Sequence, residues 1–137
     1  MLQNVNLIAV LVAAVASMAI GAAWYSTLAK PWMAAVGFDE ETVKKGDNPI
    51  VYVIAVICHF IMAYVLTGVI YHASPGGEMT IYTGLLSAFL IWAGFVVTTM
   101  IVNHRFQMKS WMLTIIDAGH YLLVMLAQGA ILGWFGL

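Results

Sequence analysis

The sequence predicts an all-α fold, a bundle of four transmembrane helices, and three observations predict it. Four stretches are apolar for long enough to cross a hydrocarbon core, which takes about 20 residues at 1.5 Å each. The 137 residues are 64% hydrophobic and 8% charged, with a mean hydropathy of +0.98. Eleven charged side chains, five basic and six acidic, cannot clothe a soluble domain, where about a quarter of residues are charged. All the lysine and arginine falls in two of the segments between and around the apolar stretches.

The first stretch runs from about Val5 to Ala29. It has no basic leader and is too long for the apolar part of a signal peptide, so it reads as a retained helix. Ala9, Ala13, Ser17 and Gly21 recur every four residues as a smooth ridge for close helix packing. Trp24, Tyr25 and Trp32 bracket the exit as an interfacial aromatic belt. The connection 30–49 holds Pro31 and Pro49 as reversal points. Within it Asp39 can cap a short helix with Glu40 and Glu41 in its first turn, Lys44 and Lys45 in its last, and Gly46 at its end.

The second stretch, about Ile50–His72, carries Ala55, His59, Ala63 and Thr67 along one line. It also holds the lone cysteine, Cys58, which excludes an intrachain disulfide and reads as a small buried hydrophobe. The run Ser74-Pro75-Gly76-Gly77 turns the chain into the third stretch, about Met79–Val102. A connection at 103–109 leads to the fourth, about Ser110–Phe135. There Ser110, Thr114, Asp117, Tyr121, Val124 and Gln128 form a seam that should face protein, and Gly129 and Gly133 mark a close approach. Thr98 can bond a backbone carbonyl, and Tyr82 and Trp134 read as interface anchors. The chain is one integral domain; it is too short, and lacks the alternation, for a β-barrel.

Lys30, Lys44 and Lys45 lie in the first connection and Arg105 and Lys109 in the third. The positive-inside rule therefore puts 30–49 and 103–109 in the cytoplasm and both termini on the other side of a cell's inner membrane. A net charge of −1 with no basic stripe excludes a nucleic-acid partner. The lipid bilayer is the expected partner, and so thin a bundle is expected to self-associate. The sequence has no phosphate-cradling loop, nucleophile elbow or paired zinc motif, so the reading is non-enzymatic and confines any catalysis to the membrane or its cytoplasmic face.

The residues that could carry chemistry are Asp117, His120 and His59, with Tyr121 beside them. Asp117 lies about seven residues, roughly 10 Å, into its helix, and His59 about nine residues, roughly 13 Å, from the same side. All share one layer, with Trp92 and Gly21 nearby. An ionised aspartate there costs about 3 kcal/mol and must face the bundle. Three readings stay open. Asp117 can lock helices together by pairing with a histidine or tyrosine. The cluster can line a path for a proton, ion or small solute. Or His59 and His120, with or without Asp117, can bind a transition metal or haem. His72 and His104, at span ends, are read as simply hydrated.

These residues sit in motifs. Trp24-Tyr25-Ser26, Lys30-Pro31-Trp32-Met33, Trp92-Ala93-Gly94-Phe95 followed by Thr98, the run from Ile116 through Asp117 to Leu123, and the closing Gly129–Trp134 appear in that order. With them the chain resembles the family called domain of unknown function 1761, small bacterial proteins with four predicted spans. After the glycine that follows the aspartate, the family pattern has tyrosine and then histidine; here His120 precedes Tyr121. The resemblance implies the four-span topology and singles out Trp24, Tyr25, Trp92, Gly94, Phe95 and Asp117. It implies no activity.

Overall fold

Lipid offers a backbone amide no partner, so an apolar chain satisfies its amides within helices. The computed structural model describes residues 5–136, and every regular element among them is helical. Residues 1–4 and 137, and with them the sidedness expected of the two ends, lie outside that range. Among the described residues, four helices are long and apolar enough to cross a membrane: Leu7–Thr27, Pro49–Ala73, Ile81–Phe106 and Trp111–Phe135.

Helix α1 (Leu7–Thr27) starts at Asn6, whose side chain accepts from the Ala9 amide at 3.1 Å. The chain breaks at Leu28 and continues as a short helix, α2 (Ala29–Val36). Pro31 is therefore not a reversal point as expected. It sits in the first turn of α2, where the N–H it lacks has no helical partner to lose. Helix α3 (Glu40–Gly46) follows with Asp39 as its cap, accepting from the Thr42 amide at 2.8 Å, and with its acidic and basic ends as the sequence predicts.

Helix α4 (Pro49–Ala73) is capped by Asn48 with proline in its first turn. Helix α5 (Ile81–Ile91) opens with a reciprocal Thr80–Thr83 capping box. One π-helical turn, Trp92–Val96, joins it to α6 (Val97–Phe106) in a single span. Helix therefore continues past Val102 into the expected connection, because His104 and Arg105 suit the negative end of a helix dipole. Helix α7 (Trp111–Phe135) starts at Ser110, which accepts from the Leu113 amide at 3.2 Å. The two lysine- and arginine-bearing connections meet: Ser110 Oγ donates to the Ala35 carbonyl at 3.0 Å and Lys109 Nζ to that of Val36 at 3.5 Å. That end of the bundle is called the basic end below.

The half of the bundle away from the basic end is tightly packed. Ala9 and Ala13 of α1, Ala63 and Ile70 of α4, Ala88 of α5 and Leu132 of α7 are all fully buried. A side chain at Gly84 or Gly129 would strike the backbone of the facing helix, and one at Gly133 would strike Thr80. α5 and α7 thus touch backbone to backbone, the arrangement that small residues permit in lipid. The half at the basic end is looser. No residue from 49 to 58 of α4 is buried. Cys58 accordingly faces outward, against the expectation that it is buried. The first buried residue of α4 is His59.

Candidate functional site

Three motifs converge on a fourth, the stretch Ile116–His120 of α7. The Tyr25 hydroxyl donates to Asp117 Oδ1 at 2.8 Å. The Trp24 indole N–H donates to the Ile116 carbonyl at 3.0 Å, and that of Trp92 to the Ala118 carbonyl at 2.9 Å. Trp32 packs edge-on against Tyr25 with ring centres 5.9 Å apart. A carbonyl has two lone pairs, so each helical oxygen takes an indole proton beside its own helical bond. Trp24 and Tyr25, expected as an interfacial belt, thus also tie α1 to α7. An indole N–H inside lipid needs an acceptor, and α7 supplies it.

Small residues make this convergence possible. A side chain on Gly119 would come 3.0 Å from the Trp24 ring, so glycine lets the indole lie against α7. A side chain on Gly21 would come 3.2 Å from His120 Nε2, so glycine in α1 leaves room for the imidazole. The π turn contains the Trp92-Ala93-Gly94-Phe95 motif, and Trp92 at its start is the residue that reaches α7. Gly94 and Phe95 do not enter the site; both are exposed, Phe95 by 69%.

Asp117 is the half-buried hub of the basic half. Beyond Tyr25, its Oδ2 lies 4.0 Å from His104 Nε2. His104 Nδ1 is 2.9 Å from Thr114 Oγ1, to which Arg105 also donates at 2.9 Å. The Arg105 guanidinium lies 3.8 Å from the centre of the Trp111 ring, and one of its nitrogens bonds the Ser110 carbonyl at 3.1 Å. His104 is thus not simply hydrated, as its place at a span end suggests. The signal that would have found it is the short turn between α6 and α7: residues equally far from the middle of a helical hairpin face each other, which pairs 104 with 113–114.

The histidines lie deeper. His120 is 5% exposed and His59 7%, and their ring centres are 6.5 Å apart. His120 sits between Tyr25 and Tyr121, each 4.9 Å from it ring to ring. Among the described residues none bonds a ring nitrogen of His120, and His59 has at most a loose contact with the Ala55 carbonyl one turn back. The His59 carbonyl accepts from Gln128 Nε2 at 3.2 Å, and the same nitrogen donates to Ser17 Oγ at 2.9 Å. This clasp ties α1, α4 and α7 together at the level where tight packing begins.

Both imidazoles end a cleft of about 580 Å³ between α1 and α4. Its lining runs from the exposed Ser26, Val51 and Tyr52 at the basic end to His59, His120 and Tyr121 inside. Asp117 is not part of that lining; its carboxylate turns to Tyr25 and His104 instead. Among the described residues no group of three or more histidine, cysteine, aspartate or glutamate side chains is placed to hold a metal ion. Chemically, the arrangement offers two neutral-capable imidazoles at the blind end of a one-sided cleft, beside a carboxylate held by a phenol.

The chain matches no curated protein and no solved structure. A family model described as "Protein of unknown function (DUF1761)" matches residues 8–133. The matched region takes in every residue of the convergence on Ile116–His120, and the chain belongs to the DUF1761 family.

Proposed function

We propose that this chain is a non-enzymatic multi-pass protein of the inner membrane that carries a small solute, ion or proton through a site built around Asp117. One observation carries the reading: the cleft reaches mid-bundle and ends on two buried imidazoles whose ring nitrogens bond no side chain among the described residues. Buried polar groups inside a membrane are costly and tend to mark pathways. A purely structural histidine would be expected to spend its nitrogens on neighbouring helices.

Division of labour within the site follows from the geometry. His59, His120 and Tyr121 meet whatever enters, while Asp117 and Tyr25 hold α1 and α7 in register behind them. The closed half beyond Gln128 makes this a site open to one side at a time. Passage then requires a second arrangement, and α4, unburied from 49 to 58, is the element free to tilt. With the basic end in the cytoplasm, the cleft faces inward. The exposed polar residues Thr99 and Asn103 on the third span favour self-association, which native mass spectrometry of the purified protein would read directly.

The test is flux in proteoliposomes, measured with an internal pH dye for protons and by osmotic swelling for small neutral solutes. Protein-dependent flux should fall at least ten-fold in His59→Phe and in His120→Phe, with folding intact by circular dichroism. If neither class of flux exceeds that of empty vesicles, or both variants match the wild type, the reading fails. A structural subunit predicts the second outcome with lowered stability alone.

A further inference from the structure

We infer that the cleft between α1 and α4 binds a neutral amphiphile of alkylphenol type, an apolar body with a hydroxyl head placed at His59 and His120. The inference deepens the transport reading by naming the class of solute, and rests on that reading for its physiological direction.

Three features of the cleft point to this chemistry. Its walls are apolar: Met18 and Ala22 of α1 face Val51 and Ala55 of α4. At its blind end both imidazoles are more than nine-tenths buried, and among the described residues their ring nitrogens have no protein partner beyond a loose contact of His59 with the Ala55 carbonyl one turn back. A neutral imidazole has one donor and one acceptor nitrogen, so the matching head must both give and take a hydrogen bond, which a hydroxyl does. Finally, among the described residues no aspartate, glutamate, lysine or arginine lines the cleft. An ammonium would meet no carboxylate there, because Asp117 is turned onto Tyr25. A carboxylate would meet no fixed cation. Burial of either charge without a partner is strongly unfavourable, which leaves a neutral head.

Size and access agree. A volume of about 580 Å³ falls inside the range of about 300–1,000 Å³ in which small-molecule pockets lie. Ser26, Val51 and Tyr52 at the mouth of the cleft are exposed, so an amphiphile can enter at the basic end.

The experiment is a ¹⁵N NMR titration of the histidine ring nitrogens of the protein in lipid nanodiscs. The probe is 4-hexylphenol, and hexylbenzene is its control, identical but for the hydroxyl. The expected result is a saturable shift at His59 and His120 with 4-hexylphenol, none at His72, and no saturable shift with hexylbenzene. His120→Phe should weaken the response at His59 at least ten-fold. Gly21→Ala, which narrows the site beside His120 Nε2, should weaken it with the imidazoles intact. Equal response to hexylbenzene, only a linear change from partitioning into lipid, or tighter binding of hexyltrimethylammonium or 4-hexylbenzoate would each overturn the inference. Binding without flux would sink the transport reading alone; flux without 4-hexylphenol binding would sink this one alone.

Discussion

At the scale of the residue, the question is what a carboxylate gains from a phenol in a low-dielectric layer. The Tyr25 hydroxyl gives Asp117 a short bond, 2.8 Å, across 92 residues of sequence. Removing the donor leaves a half-buried oxygen short of a partner. Tyr25→Phe should therefore cost about 1–3 kcal/mol of stability. Asp117→Asn should cost less, because its amide oxygen can still accept from Tyr25. In a double-mutant cycle, read by thermal unfolding in detergent, the two changes together should cost less than their sum. Strict additivity would mean the pair does not form. Sequence reasoning found Asp117 and the need for a tyrosine or histidine partner, yet could not choose one. His120 is one turn away and His59 shares the layer, so all satisfy a count of residues from the membrane edge. The choice depends on helix rotation, which a single residue's surroundings do not encode.

At the scale of the element, two features separate what periodicity can reveal from what it cannot. The glycines of α7 were legible because only glycine lets two backbones touch, and Gly129 indeed meets Gly84. The cap of α3 and the seam along α7 were legible for similar local reasons. The π turn at Trp92–Val96 was not, since a search for a 3.6-residue repeat has no place for one added residue. α2 is hidden for another reason: proline fits the first turn of a helix as well as a break, and local sequence does not choose between them. These elements carry a paired prediction. Gly129→Ala should destabilise the protein by about 1–3 kcal/mol, since a methyl group there overpacks against the Gly84 carbonyl. Gly94→Ala lies in open space and should leave the melting temperature unchanged or raise it. Gly129→Ala matching Gly94→Ala, with no loss in either, would mean that the α5–α7 backbone contact does not form.

At the scale of the whole molecule, charge and cleft combine into a statement about direction. The five lysine and arginine residues lie in two connections, and the bonds from Lys109 and Ser110 to the end of α2 bring those connections onto one surface. The opposite turn carries only Glu78. Orientation in the membrane follows lysine and arginine in short loops, while acidic residues contribute little, so the basic surface is expected in the cytoplasm. A fluorescent protein that folds only in the cytoplasm should stay dark at the C-terminus, and alkaline phosphatase fused there should be active. The same pair of reporters inserted after Gly46 should give the reverse. Because the cleft opens at the basic end and is closed beyond Gln128, this assay also fixes which compartment reaches His59 and His120. A bright C-terminal fluorescent fusion would turn the cleft outward, and a solute bound at those imidazoles would then arrive from outside the cell.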